Sequence, residues 1–206
     1  NVLFFGSFKC LKCGGEVGYE PMSRSMRRVR ANGDWRRCDN GVKYGVCNWL
    51  LSSKDKAALC VACQMNRTIP DLGVPRNLSL WARMETAKHR LMYTLLRLGI
   101  ALPSKAVDAK DGLAFDIVSS VSNPEVTMGH LNGVITVNLE EADDTYRQIN
   151  RQQLGERSRT LLGHFRHEIG HYLWQRFLSE FPWEDPQRLA VLERVGDECW
   201  HYAASF

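Results

Sequence analysis

The chain has no apolar run approaching the roughly 20 residues that a membrane-spanning helix needs, which excludes a membrane partner of that kind. Its only apolar opening, Val2-Leu-Phe-Phe5, is too short for the hydrophobic core of a secretory leader, and the simplest location is the cytoplasm. No low-complexity tract is present, and a composition of 44% hydrophobic and 24% charged residues is that of a globular protein rather than a disordered one. Charge of one sign is scarce too: a net +4 does not by itself argue for nucleic acid. Cysteine is almost absent after residue 63, where Cys199 stands alone, yet six of the seven cysteines fall before it. The first residue is Asn1 rather than Met, and the last, Ala203-Ala-Ser-Phe206, interrupt a helical pattern, so truncation at both ends is expected.

The early cysteines are not spaced as in a disulfide-rich secreted domain. Cys60-x-x-Cys63 is bounded by residues suited to tight turns, which is how thiolates are presented to zinc; with Cys38 and Cys47 it completes a four-cysteine set. One structural Zn²⁺ there would hold a small ribbon that could not build a core unaided. Cys10-Leu-Lys-Cys13-Gly-Gly reads as one knuckle of another ribbon whose partner pair would lie upstream, a partial site that takes a second structural ion in a longer chain. The alternative for that pair is two free thiols on a β-hairpin.

From Ser23 to Arg37 six arginines face one aspartate, with Trp35 among them. Such a run could touch phosphates and stack a base, but a solvated linker or loop is the more common outcome. The stretch 66–75, with two prolines, reads as a connector, dividing a ribbon region (1–70) from a second domain (71–206). Beyond it Leu78, Trp81, Met84, Leu91, Leu95 and Leu98 form a helical stripe, with Asn77 as a potential N-cap and Gly99 as the stop. His89 in that helix reads as surface or as a neighbour of ligands. Leu113–Val118 and Val134–Leu139 read as strands, the second alternating apolar and polar residues. Glu140-Glu-Ala-Asp-Asp144 opens a polar helix running to about Gln153.

The stretch from Leu161 to Trp174 carries the chemistry. It contains His167-Glu168-x-x-His171, and positions four apart on a helix lie one above the other on the same face. Two imidazoles so placed can bind one catalytic Zn²⁺ at about 2.0–2.1 Å, with Glu168 flanking the ion as general base. Leu161, Leu162, Phe165, Ile169, Tyr172, Leu173 and Phe177 supply the apolar positions. An ordinary amphipathic helix can carry the same five residues by chance. Gly170 in mid-helix implies close packing or room for a substrate. His164, one turn earlier, either orients Glu168 or the substrate, or is a partly buried polar residue with a backbone partner; His130, beside the second strand, is a weaker candidate. The order helix, strands, helix, HExxH helix fits an α+β, zincin-like domain, and Val134–Leu139 is the expected edge strand for an extended peptide.

Separate motifs in order, Cys47-Asn-Trp-Leu, Cys60-x-Ala-Cys63-x-x-Asn-Arg-Thr-Ile-Pro-Asp-Leu72, Ala87-Lys-His-Arg-Leu-x-Tyr-Thr-Leu-Leu-Arg97, Gly129-His-x-Asn-Gly133, Glu141-Ala-Asp-Asp144 and Leu161–Tyr172, resemble a bacterial family of zinc-binding metallopeptidases with an N-terminal zinc ribbon. The resemblance runs from about residue 4 to the end. It implies hydrolysis of a peptide or protein substrate, with His167 and His171 as ligands and Glu168 as base, and a C-terminal continuation able to carry the third ligand. Within the chain, Gly196-Asp-Glu-Cys-Trp-His-Tyr-Ala-Ala204 looks like the helix that gives the glutamate ligand in compact zincins that cleave bacterial repressors. That makes Glu198 the first choice for the third position, with Asp197 and His201 as competitors. The competing reading is a zinc-ribbon regulator that binds nucleic acid or protein through its four-cysteine module and arginines, its HExxH domain inactive.

Overall fold

The computed structural model describes residues 3–100, 102–126, 128–180, 184–186 and 189–190. Among the described residues eight strands and four α-helices make a mixed α+β fold, as expected. The arginine-rich stretch is not a linker. It supplies strand β2 (Ser25–Arg28), which pairs antiparallel with β1 (Val17–Glu20), and strand β3 (Trp35–Arg37), which pairs with β4 (Leu50–Ser52). Arginine survives in these short strands because the guanidinium heads have partners at the rim. Arg36 donates to the Asp55 carbonyl at 3.0 Å, and Arg37 donates to the Phe8 carbonyl at 2.9 Å.

The expected connector is likewise partly structured. Asn66–Thr68 forms β5, which runs parallel to β6 (Ala114–Val118) in a four-stranded sheet of order β5-β6-β8-β7. The strand β8 (Val134–Asn138) lies parallel to β6 and antiparallel to β7 (Gly129–Leu131). It is therefore an inner strand, and the expectation of an exposed edge at Val134–Leu139 is wrong. The reason is local: Asn132 and Gly133 both have positive φ, 48° and 79°, the two-residue turn that folds a hairpin tightly enough for β7 to cover β8. A Cβ on Gly133 would sit 2.3 Å from the Gly112 carbonyl oxygen, so this corner is closed to any side chain.

Helix α1 (Asp39–Tyr44) follows Cys38, and helix α2 (Pro75–Arg97) crosses between β5 and β6. Asn77 does not cap α2. Pro75 starts the helix with φ already set, while Asn77 is buried inside it and donates Nδ2 to the Asp71 carbonyl at 2.8 Å. The acidic stretch also differs from expectation. Leu139–Ala142 makes one 3-10 turn with Glu140 and Glu141 buried, and Asp143 then caps a separate helix α3 (Asp144–Gln153) by accepting from Thr145 and Tyr146 amides. Helix α4 (Leu161–Glu180) begins where Thr160 Oγ1 accepts from the Gly163 amide at 3.0 Å.

One continuous core joins all of this. It runs from Tyr19, Trp49 and the cysteines through Trp81, Met84 and Leu91 of α2 to Phe115 and Ile135 of the sheet and Phe165, Ile169 and Tyr172 of α4. Inside it Lys88 and Glu85 are an ion pair of 2.8 Å with both side chains 0% exposed. Glu85 also accepts from Asn66 Nδ2 at 2.9 Å and from Trp81 Nε1 at 3.2 Å. Burial works against both charges, yet each holds its charged form: Lys88 and His89 pull Glu85 down, and Glu85 with the thiols of Cys63 and Cys60 pushes Lys88 up. Removing one partner leaves a lone buried charge, so Lys88→Met is expected to lower unfolding free energy by about 3–5 kcal/mol. Urea titration measures it; a loss within about 1 kcal/mol would mean water reaches the pair.

Candidate metal centres

Two clusters of donor atoms emerge from this frame. The first is made by the turn before α1 (Cys38), the entry to β4 (Cys47) and the Cys60–Cys63 turn, whose sulfur atoms lie within 4.8 Å of one another and are all buried. The donor chemistry fits a divalent ion. Hydrogen bonds from Cys47, Cys60 and Cys63 hold Cys38 far below the usual thiol range, while hydrogen bonding to Cys38 pushes Cys47 and Cys63 above it. The packing thus favours a thiolate at Cys38 and resists one at Cys47 and Cys63, a conflict that a central cation would relieve. His89 is buried rather than at the surface, with Nε2 3.3 Å from Cys47 Sγ and 3.8 Å from Cys63 Sγ. Neither it nor the adjoining Lys88–Glu85 pair was singled out by spacing, because a polar residue on a helix face gives no sign of which neighbour it meets.

Cys10 and Cys13 form a separate knuckle. The Gly14 amide donates to the Cys10 carbonyl at 2.8 Å, and Gly14 takes a φ of 66° to make the bend. Cys10 is buried and Cys13 exposed; no further metal-ligating group joins them among the described residues. Cys199, Asp197, Glu198 and His201 lie outside the described residues.

The second cluster is on α4. Phe165, Ile169 and Tyr172 turn one stripe into the core, and the adjacent stripe brings His167 and His171 together with Nε2 atoms 2.9 Å apart and ring planes at 90°. Two nitrogen donors that converge this way can share one ion. Burial and the nearby His171 depress His167, favouring the neutral imidazole that a metal requires. Glu168 sits between the two stripes, 8% exposed, and burial alone raises its carboxyl above the usual range. It has no hydrogen-bond partner among the described residues. Among those residues no third cysteine, histidine or carboxylate closes on the imidazole pair. A Cβ on Gly170 would meet nothing within 4 Å, so that glycine reflects open space rather than close packing.

No side-chain hydrogen bond joins His164 to Glu168, one turn further along α4. His164 Nδ1 lies 3.7 Å from Glu141 Oε2, beyond hydrogen-bond reach, and has no hydrogen-bond partner among the described residues. Glu141 is instead held by Arg159 at 2.7 and 3.1 Å. Tyr172 is structural, donating its hydroxyl to the Asp111 carbonyl at 2.5 Å. His130 is the residue that spacing undervalued. It pairs with buried Ile135 in the hairpin and so faces the helices, its ring edge-on to Tyr172 at 5.7 Å. The Gly133 amide donates to His130 Nε2 at 3.0 Å, which leaves the ring proton on Nδ1. The signal was present in Gly129-His-x-Asn-Gly133, since a tight hairpin turns residue 130 back onto its own Gly133 amide.

The comparisons agree with this division of the donors. Residues 77–206 match the family described as "Putative zinc-binding metallo-peptidase", and residues 1–74 match a zinc-ribbon domain. The chain belongs to that metallopeptidase family. Uncharacterized proteins of Mycobacterium bovis and Mycobacterium tuberculosis are 38% identical over 177 residues, covering 86% of this chain and 51% of theirs. The chain thus spans about half the length of the curated relatives it matches. No solved structure gives a significant match. Zinc binding follows from the family and from the four-cysteine cluster, and no helix among the described residues is long and apolar enough to cross a membrane.

His130, His164 and His167 all lie below their usual value of 6.5, each chiefly through burial. The unfolded chain therefore binds more protons than the folded one as pH falls below that value, and stability falls with it. Glu168, raised above 4.5, has the opposite sign but is one group against three. Chelator-treated protein should melt at lower temperature at a pH of about 5.5 than at about 7.5. An unchanged or higher melting temperature at the acid pH would contradict the assignment of neutral histidines.

Proposed function

We propose that this protein is a zinc-dependent metallopeptidase, a reading carried by the convergence of His167 and His171 Nε2 to 2.9 Å beside a buried carboxylate. His167 and His171 would hold the catalytic ion and Glu198 would complete the set; Cys38, Cys47, Cys60 and Cys63 would hold a structural one. Held by His167 and His171, a zinc ion would supply Lewis acidity for the scissile carbonyl and would lower the pKa of a water towards about 7. Glu168 accepts the proton of the attacking water and returns it to the departing amine. Its raised pKa makes it a stronger base than an exposed carboxylate, which is the direction proton abstraction needs.

The edge strand β7, not β8, is where an extended peptide can add by backbone hydrogen bonds, because among the described residues β7 has no strand beyond it in its sheet, and it packs against α4. On that strand His130 keeps a proton on Nδ1 and stays neutral, so it can donate to a substrate carbonyl without competing for the metal. In functional terms the ribbon occupies residues 1–70 and the peptidase 71–206, with β5 a strand from the first part built into the sheet of the second. Cys10 and Cys13 would belong to a further structural site whose other ligands lie outside this chain. A cytoplasmic setting fits four free buried thiols in that cluster.

Glu168→Gln is expected to cut hydrolysis of a casein or peptide-library substrate by on the order of 10²–10⁴, the usual scale for a general base. Its zinc content by elemental analysis should equal wild type. Retained turnover would remove Glu168 from the chemistry. Replacing both His167 and His171 by Ala should remove one zinc equivalent, and replacing Cys38 and Cys60 by Ser a different one. Zinc content unchanged by the histidine pair would refute the catalytic site.

A further inference from the structure

Beside the ribbon, lined from α2 and containing no described residue of the HExxH helix, lies a cavity of about 380 Å³. Its wall is aromatic: Phe5, Tyr19 and Tyr93 meet with ring centroids 4.9, 5.0 and 5.6 Å apart. Arg24 from the β1–β2 turn and Arg90 from α2 also line it. Arg97 stands beside them, donating to the Tyr93 hydroxyl at 3.1 Å with its guanidinium 5.9 Å from the ring centre. None of these three arginines has a carboxylate partner among the described residues. The nearest acid in sequence, Glu20, is buried and spends its oxygens on the Met22 and Ser23 amides at 2.7 and 2.6 Å. Tyr19 is 2% exposed, and its hydroxyl has no hydrogen-bond partner among the described residues. Burial, with Tyr93 beside it, pushes that hydroxyl up to about 12, so it stays protonated and can donate.

Unpaired guanidiniums around half-buried ring faces satisfy two demands at once. Phosphates need cations that are not already neutralised, and a flat base needs an aromatic face to stack on. A carboxylate-rich protein partner would use the arginines but leave the rings and the Tyr19 hydroxyl without a role. We propose that this cavity binds a nucleotide unit of single-stranded nucleic acid, its base against Phe5 and Tyr93 and its backbone along Arg24, Arg90 and Arg97. The site is separate from the proposed peptidase site, since its lining comes from the N-terminal segment, β1, β2, the turn between them and α2 and includes no described residue of α4, and it would let the ribbon place the HExxH domain on a nucleic-acid-bound protein.

Fluorescence anisotropy of the full chain with a short labelled oligothymidylate tests this. Three phosphate contacts give a slope of log affinity against log salt of about −2, so a fourfold rise in salt should weaken binding roughly twentyfold. Arg24→Gln with Arg90→Gln should weaken binding at low salt at least about tenfold and flatten the slope by about 0.7 per lost contact. Both positions are exposed, and unchanged zinc content and melting temperature would show that the variant is folded. Tyr93→Leu should weaken oligothymidylate while leaving inorganic phosphate, used as competitor, unaffected. No binding at low salt, equal binding by the double arginine variant, or equally effective displacement by polyglutamate of matched charge would each overturn the assignment.

Discussion

Helix α2 keeps only a narrow solvent stripe along its middle, Ser79, Arg83, Thr86 and Arg90, and the rest of the structure is arranged around its buried faces. One side meets Tyr19, Trp49 and the cysteine cluster; the others meet the four-stranded sheet and α4. A helix buried this way cannot leave polar side chains at random, because an unpaired polar group in such a place costs several kcal/mol, on the order of 2–7. Its Glu85, Lys88 and His89 are spent on each other, on Asn66 and on the thiols. The ribbon is therefore not a bead on a string. Whatever charge the four thiols hold is answered from α2, and α2 is the wall against which α4 packs.

The same economy explains the HExxH helix. Phe165, Ile169 and Tyr172 anchor it, and the anchoring stripe is only one residue away from the histidines. Burial then acts on the two neighbours in opposite directions: it lowers His167 towards the neutral imidazole and raises the Glu168 carboxyl, the directions that the proposed hydrolysis would draw on. Loop residues fix the helix from outside, through the Tyr172 hydroxyl on the Asp111 carbonyl. On the opposite flank His130 is locked by the amide of Gly133. The two halves of the site thus depend on a hairpin turn and a loop that neither carries chemistry nor tolerates bulk.

Much of this was legible in the sequence, and what was not has identifiable causes. Ligand spacing is local, so the two-histidine turn and the four-cysteine set could be read directly from residue numbers. Helix and strand types followed from periodicity. Most of the misreadings were tertiary. Val134–Leu139 alternates as an edge strand would, but pairing with β7 is decided by the Asn132–Gly133 turn. The stretch 23–37 looked like a solvated linker because its arginines gave no sign of the carbonyls they would meet. Asn66–Thr68 is too short to declare itself a strand without β6 beside it. Asn77 was read as a cap because the Pro two residues earlier was counted with the connector. His130 was undervalued, and His89 was left open between the surface and a place beside the cysteines, for one reason: a single histidine shows its function only through the groups that surround it.

The most direct trial of the central claim is a crystal structure with anomalous diffraction measured on both sides of the zinc absorption edge. The account predicts a zinc peak bridging His167 and His171, at about 2.0–2.1 Å from each Nε2 with a carboxylate oxygen in the same shell, and a second peak within the four sulfurs. A peak among the cysteines with none between the histidines, in protein prepared with zinc, would contradict it.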